Sequence, residues 1–250
     1  MRERAAFLKP IAHRGLHSLA RGIIENTIPA FEAAIAKGYG IECDVRPAGC
    51  GTPMVFHDLT LERLIEGQGP IARHDAPALK ALRYRNVAGG AMVELSELLE
   101  LVDGRVPLLI EIKSEWDAPN GQFLRNIAQK TSAYNGPVAL MSFDPSVMAM
   151  MRELAPGVPR GVVAEQFAAD CEWRGILGPE RAYALTHLLE SGPAEPDFYA
   201  YDVNALPTAV TRYVREVEGK PLFTWTVRTA EQRETAARWA DAPIFEGYEP

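Results

Sequence analysis

The sequence predicts an α/β fold, namely a (β/α)₈ TIM barrel with an insertion after the second strand and no helix after the eighth. Eight apolar runs of strand length alternate with amphipathic runs of helix length. Most of the strand runs are apolar at successive positions, as in the LLIEI run that begins at Leu108, which is typical of parallel strands buried on both faces. A length of 250 residues suits one barrel. A doubly wound open sheet is the alternative.

The predicted strands recur along the whole chain. They cover residues 10–14, 40–45, 106–113, 138–143, 161–166, 198–203, 222–227 and 243–245. Helical patterns lie between them, over residues 27–37, 94–102, 122–134, 146–154, 179–190, 208–217 and 230–239. In the first helix Phe31, Ala34 and Ile35 recur at helical spacing, Pro29 stands in the first turn, and Gly38 follows as a C-cap.

The segment between the second and third predicted strands is too long for one strand-to-helix connection. A turn rich in glycine and proline follows residue 47, and a short apolar run over 54–56 indicates a return strand. Residues 58–91 then form an irregular excursion, which we expect to be an insertion on the catalytic face. No linker or repeat divides the chain, so we expect one barrel domain over residues 1–250.

The composition indicates a soluble globular protein. Hydrophobic residues make up 47% and charged residues 24% of the chain, and no apolar run approaches the roughly 20 residues of a membrane span. The net charge of −7 disfavours binding to nucleic acid or to an anionic membrane surface. Three cysteines without a paired spacing, and a first segment without an apolar signal region, predict a cytoplasmic protein.

Acidic residues stand where two of the predicted strands end. Side chains two apart on a strand share a face, so Glu42 and Asp44 converge, as do Glu111 and Lys113. Ionised carboxylates on one buried face repel each other unless a cation lies between them, and oxygen ligands favour Mg²⁺ or Ca²⁺. The structural alternatives are a salt bridge from the first pair to Arg46 and a simple Glu111–Lys113 pair.

Two histidines stand at strand ends. His13 and Arg14 lie at the end of the first predicted strand and suit an acid/base and a phosphate clamp, while His57 follows the return strand, which would carry it back toward Asp44. A solvated loop histidine and a helix-capping Asp58 are the alternatives. Trp225 is either a wall against the substrate or simple core.

Other polar residues carry less weight. Asp202 and Glu246 occupy the ends of the sixth and eighth strands and could line the mouth of the barrel. We interpret Glu25 and Asn26 as a helix cap and His17 as a surface residue. Motifs of nucleotide loops, dinucleotide folds, zinc proteases and serine hydrolases are absent from the sequence.

Seven short motifs occur in an order and spacing that resemble the glycerophosphodiester phosphodiesterase family across nearly the whole chain. They are HRG, ENTxxAF, ECDVR, VFHD, EIK, SFDP and WTVR. The resemblance implies a TIM barrel that hydrolyses glycerophosphodiesters to sn-glycerol 3-phosphate and an alcohol. By the family pattern, His13 and His57 are the catalytic pair, and one divalent cation, Mg²⁺ or Ca²⁺, is held by Glu42, Asp44 and Glu111. Arg14 and Lys113 would hold the phosphate, and Trp225 would contact the glycerol side.

The end of the sequence departs from the family. It reads IFEGYEP, so Glu246 stands where the family pattern has an aspartate, and no last helix follows. The groove between the eighth and first strands would then be uncovered. We expect residues 1–9 or a second subunit to cover it, which makes a homo-oligomer a possible state.

Alternative functions remain open at this point. A lysophospholipase D-like activity on lipid diesters would use the same chemistry. A Schiff-base aldolase could use Lys113, and a binding barrel would have no catalysis. The leading hypothesis expects a small glycerophosphodiester as partner, with no nucleic acid and no stable membrane insertion.

Overall fold

Eight parallel strands close into a barrel in the computed structural model, which describes residues 4–85, 87, 90–118, 120–169, 171 and 173–250. Strand β1 pairs with β2 on one side and with β10 on the other, and this double pairing closes the ring. The barrel strands are β1 (Ile11–Ala12), β2 (Gly40–Pro47), β5 (Leu108–Ile112), β6 (Val138–Ser142), β7 (Arg160–Ala164), β8 (Phe198–Asp202), β9 (Leu222–Val227) and β10 (Ala242–Phe245). The predicted TIM barrel is confirmed.

The α-helices of the described residues are α1 (Arg4–Phe7), α2 (Ile28–Lys37), α3 (Ala76–Ala81), α4 (Leu95–Val102), α5 (Gly121–Ser132), α6 (Pro145–Leu154), α7 (Arg174–Thr186), α8 (Ala209–Arg212) and α9 (Ala230–Trp239). Most of them cover the outside of the barrel, whereas α1 carries Phe7 into its interior and α3 belongs to the excursion between β2 and β5. Gly178, with φ of 69°, breaks α7, so the helix predicted from residue 179 is its second half. Over the described part of the chain, every helix is too short or too polar to cross a bilayer.

Alternate residues of each strand face the barrel interior. The interior holds large side chains such as Phe198 and Phe223, whose rings lie 5.1 Å apart. Gly161 on β7 makes room for Phe198, because a Cβ at this glycine would lie 2.1 Å from the phenylalanine ring. The residues between them, such as Cys43 and Ile110, pack outward against the helices.

The excursion between β2 and β5 begins with a return strand. β3 (Pro53–Val55) runs antiparallel to β2, and β4 (Val93–Glu94) runs antiparallel to β3. Between them the chain builds a small core of its own, which includes Leu61, Ile65 and Leu79. The amide of Phe56 donates a hydrogen bond of 3.0 Å to the carbonyl of Asp44, so His57 returns to the part of β2 that carries Asp44.

The gap outside β10 and β1 is covered by the residues that follow β10. Over 246–250 no helix forms, but Tyr248 packs its ring 5.4 Å from that of Phe245, which also contacts Tyr39. Arg233 lies over the ring of Tyr248, with its Cζ 4.8 Å from the ring centroid. The expected cover from residues 1–9 is wrong for the described residues 4–9, because Phe7 packs into the barrel interior, and residues 1–3 lie outside the described part.

Candidate active site

Three buried carboxylates meet at the carboxyl ends of β2 and β5. The register pairs Asp44 with Glu111 across these strands, and Glu42 shares their face because it precedes Asp44 by two residues. One oxygen of each carboxylate lies within 4.8 Å of the other two. The structure therefore brings the predicted acidic cluster together.

Cations already neutralise part of this cluster. The Lys113 ammonium lies 2.8 Å from Asp44 Oδ1 and 2.5 Å from Glu111 Oε1, while Arg14 Nε lies 3.2 Å from Asp44 Oδ2. Burial alone would raise the pKa of Asp44, but Lys113 and Arg14 hold it well below its usual range. The alternative bridge to Arg46 is not formed among the described residues, since Arg46 pairs with Glu115 instead.

Of the three carboxylates, Glu42 is the one whose negative charge the described neighbouring groups offset least. Its Oε2 accepts a hydrogen bond of 2.9 Å from the backbone N–H of Arg14. Its Oε1 is buried and has no hydrogen-bond partner among the residues that the structure describes. Burial, together with the charges of Asp44 and Glu111, raises the pKa of Glu42 well above its usual range. An oxygen-rich site with one unsatisfied acceptor suits a hard divalent cation.

His13 lies between two strand ends. Because Ala12 pairs with Phe245 in the barrel, the next residues, His13 and Glu246, are neighbours, and His13 Nδ1 lies 2.6 Å from Glu246 Oε2. The other ring nitrogen, Nε2, lies 3.9 Å from Glu42 Oε2. Burial lowers the pKa of His13, although the Glu246 carboxylate opposes this shift.

Glu246 has further partners around it. Arg228 Nη2 lies 3.0 Å from its Oε2, and His17 Nε2 lies 3.8 Å from the same oxygen. The interpretation of His17 as a surface residue is therefore wrong, because its side chain is largely buried beside this carboxylate.

His57 is held by a chain of charges from the excursion. Its Nδ1 lies 2.8 Å from Asp58 Oδ1, and Arg63 Nε donates a hydrogen bond of 2.5 Å to Asp58 Oδ2. Arg63 also donates to both oxygens of Glu25, at 2.7 and 2.9 Å. Glu25 in turn accepts a hydrogen bond of 2.7 Å from Arg14 Nη1. The alternative in which Asp58 caps a helix is therefore wrong, because both of its oxygens serve these side chains.

The prediction that Glu25 and Asn26 cap the first helix is wrong, because both side chains belong to the site instead. The N-cap of α2 is Thr27, whereas the side-chain amide of Asn26 donates a hydrogen bond of 2.8 Å to Asp44 Oδ2. Sequence reasoning thus missed Glu25, Asn26 and Arg63. The available signal was a run of polar residues directly before the first helix, at the barrel face where the strands end.

A cavity of about 470 Å³ opens above these groups. Its lining includes most of the predicted site, namely His13, Arg14, Glu42, His57, Glu111, Lys113 and Trp225. Trp225 is thus a cavity wall that also packs edge-on against Phe143, at 5.2 Å. Asp202 is not among the described residues that line this cavity. Its carboxylate accepts a hydrogen bond from the Asn204 N–H and caps the turn Val203–Ala205.

Comparison with known proteins identifies the family. Residues 13–245 match the model of the glycerophosphoryl diester phosphodiesterase family. The chain belongs to this family. A glycerophosphodiester phosphodiesterase from Caldanaerobacter subterraneus subsp. tengcongensis is 28% identical over 232 residues, which cover 90% of this chain and 87% of the relative. The predicted family and the predicted class of enzyme, a phosphoric diester hydrolase, are confirmed.

Solved structures share the fold. A phosphodiesterase from Oleispira antarctica, in complex with the product sn-glycerol-3-phosphate, is similar with a TM-score of 0.72 and 19% identity, over 95% of this chain and 92% of that one. A glycerophosphodiester phosphodiesterase from Thermotoga maritima gives a TM-score of 0.69 at 23% identity, over 95% and 93% of the two chains.

Proposed function

We propose that this protein hydrolyses glycerophosphodiesters to sn-glycerol 3-phosphate and an alcohol, with one divalent cation. The observation that carries the proposal is the cluster of three buried carboxylates, one with an unsatisfied oxygen, in the same cavity region as two histidines. The similar Oleispira protein binds sn-glycerol-3-phosphate on the same fold, which supports the substrate class.

Glu42, Asp44 and Glu111 would hold the cation. Their donors are all carboxylate oxygens, the kind that Mg²⁺ and Ca²⁺ prefer. A bound divalent ion supplies positive charge that polarises the phosphoryl oxygens. The ammonium of Lys113, which now contacts two of these carboxylates, and the guanidinium of Arg14 line the cavity and would bind the phosphate.

His13 and His57 would move the protons. Each ring has Nδ1 beside a carboxylate, which orients the ring and leaves Nε2 for exchange with the substrate. One imidazole takes a proton from the attacking oxygen, either of water or of the substrate's own 2-hydroxyl, as a new bond to phosphorus forms. The other, as imidazolium, protonates the departing alkoxide as its bond to phosphorus breaks. Attack by the 2-hydroxyl leaves a cyclic phosphate, which water then opens to sn-glycerol 3-phosphate. Trp225 would contact the glycerol part of the substrate.

The alternatives have less support. A Schiff-base aldolase needs a neutral amine, but Lys113 is held between two carboxylates that raise its pKa, against the opposing effect of burial. A lysophospholipase D-like activity uses the same site on a longer substrate, and a set of diesters with and without acyl chains separates it from the proposed reaction. A non-catalytic barrel would give no turnover.

The proposal is tested with glycerophosphocholine, with and without EDTA. We expect turnover that EDTA abolishes and that Mg²⁺ or Ca²⁺ restores. His13→Ala and His57→Ala should each lower kcat by about 100-fold or more while cation binding persists. Glu111→Gln should instead weaken cation binding, measured by calorimetry.

Asp202→Asn is the matched control, since it removes a strand-end carboxylate outside the cavity, and it should keep near-normal turnover. If either histidine variant kept the wild-type rate, or if EDTA had no effect, the proposed roles would be wrong.

A further inference from the structure

The cavity has two chemically different sides. One side carries the histidines, the acidic cluster and the cations Arg14 and Lys113. The other side is lined by Phe143, Trp173 and the carboxylate-bearing side chain of Glu165, none of which the proposed reaction uses.

The aromatic residues of this second side form an angled wall. The ring of Phe143 lies 4.7 Å from that of Trp173, with 58° between their planes. Trp116 and Phe167 contact Trp173 in turn, at 5.9 and 6.1 Å, and Arg181 lies over Trp116. Because several rings brace Trp173, the wall is fixed before a ligand arrives, and binding costs little side-chain entropy.

The wall is also electrostatically suited to a cation. Aromatic faces carry negative potential, and Glu165 brings a carboxyl group to the same side of the cavity. Two contacts with described residues help to position Glu165, which directly follows β7. Its backbone carbonyl accepts a hydrogen bond of 3.1 Å from the Tyr201 hydroxyl. Its Oε1 accepts a hydrogen bond of 3.0 Å from Cys171 Sγ.

We propose that Phe143, Trp173 and Glu165 form a subsite for a quaternary ammonium group. The preferred substrates are then choline-type glycerophosphodiesters, an inference that rests on the proposed function. Such a diester is a zwitterion, so its phosphate binds beside Arg14 and Lys113 while its trimethylammonium group lies against the aromatic wall. A quaternary ammonium suits this wall because it has apolar methyl groups and makes no demand for hydrogen bonds.

The test compares glycerophosphocholine with its 3,3-dimethylbutyl analogue, in which carbon replaces the charged nitrogen. The two leaving groups have the same shape, but the charged nitrogen also makes choline the better leaving group. The change of the kcat/KM ratio between the wild-type protein and the variants therefore reports the subsite. We expect the wild-type protein to prefer the choline diester by about tenfold. Trp173→Leu and Glu165→Gln should each reduce this ratio to about threefold or less.

Tyr183→Leu is the matched control, because Tyr183 is an exposed aromatic residue on α7 outside this cavity. It should leave the ratio at the wild-type value. Turnover of both diesters at equal kcat/KM would overturn the subsite and leave the proposed hydrolysis intact.

A complete lack of turnover would instead contradict the proposed function, and binding would then decide the subsite. In that case the probe is tetramethylammonium, followed by tryptophan fluorescence. Saturable quenching in the wild-type protein that Trp173→Leu removes supports the subsite, and the absence of saturable quenching overturns it.

Discussion

At the scale of single residues, the site pairs each proposed catalytic histidine with one carboxylate. Glu246 accepts from His13, and Asp58 accepts from His57. Burial opposes ionisation of Glu246, but hydrogen bonds from His13, His17 and Arg228 hold its pKa far below the usual range. Glu246 is therefore ionised at neutral pH and fixes the orientation and tautomer of the His13 ring.

Glu246→Gln should show whether Glu246 positions the His13 ring for catalysis or only stabilises the fold. We expect kcat to fall by about 10- to 100-fold with little change in KM, because the ring of His13 loses its charged partner. The pKa of His13 should fall as well, since a neighbouring negative charge that favours the imidazolium is gone. Measurement of kcat against pH, and of the His13 ring by NMR, checks both effects.

Glu246→Asp keeps the charge and should recover part of the rate. An unchanged pH profile in Glu246→Gln would contradict the assigned role, even if the overall rate were lower.

At the scale of elements, the excursion after β3 fixes the site through Arg63. This arginine joins Asp58 on its own segment to Glu25, which precedes α2. Burial would raise the pKa of Asp58, but hydrogen bonds from His57 and Arg63 lower it far below the ordinary value. The folded state therefore favours ionised Asp58, and the network contributes stability above the unfolded pKa that is lost as pH falls toward the folded value.

Asp58→Asn should therefore show a pH-dependent loss of stability. At pH 7 we expect the free energy of unfolding to fall by about 1 kcal/mol, a modest figure because Arg63 is half-exposed. The gap to the wild-type protein should narrow as pH falls below about 4, where the unfolded chain begins to bind the proton. Urea unfolding at a series of pH values measures it.

Asp202→Asn is the control for this series. Burial raises the pKa of Asp202, so its contribution to stability changes with pH in the opposite direction. If the difference in free energy of unfolding between the wild-type protein and Asp58→Asn stayed constant down to pH 2, the charge of Asp58 would have no role in stability.

At the scale of the whole molecule, closure of the barrel depends on a small aromatic contact. β1 has only two residues, so its ladder with β10 is short. Outside this ladder, Tyr39, Phe245 and Tyr248 pack together, and Lys37 pairs with Glu249 at 2.8 Å. Residues 246–250, which follow β10, therefore connect α2 to β10 through side-chain contacts without forming a helix.

Tyr248→Ala should weaken this closure. Loss of the ring removes its apolar contacts with Phe245 and Arg233, and we expect the free energy of unfolding to fall by about 1–2 kcal/mol. Tyr248→Phe keeps the ring and should stay within about 0.5 kcal/mol of the wild-type protein. Equal stability of the alanine and phenylalanine variants, measured in urea, would contradict this account.

The barrel and the acidic cluster were predictable from the sequence because both follow from periodicity. A strand places side chains two apart on one face, and parallel strands bring their carboxyl ends to one edge, so Glu42, Asp44 and Glu111 had to meet once the strands were recognised. The bounds of the first strand were less predictable. Arg14 has a φ of 54°, which ends the extended backbone at a residue that the predicted strand, 10–14, includes.

The network around His57 could not be predicted in the same way. Arg63 and Glu25 are 38 residues apart, and the segment that carries Arg63 has no regular period to fix its direction. Asn26 reaches Asp44 from a backbone with a φ of 56°, which no pattern of apolar residues indicates. Such contacts depend on the path of loops rather than on local preference.

The ammonium of Lys113, lodged between Asp44 and Glu111, acts as an internal counter-ion. Removal of a divalent metal would not leave these two acids facing each other unshielded, because the lysine is covalently part of the chain and cannot be chelated away. The barrel should thus survive removal of the cation from the proposed metal centre, and reloading with metal should restore this centre without any refolding.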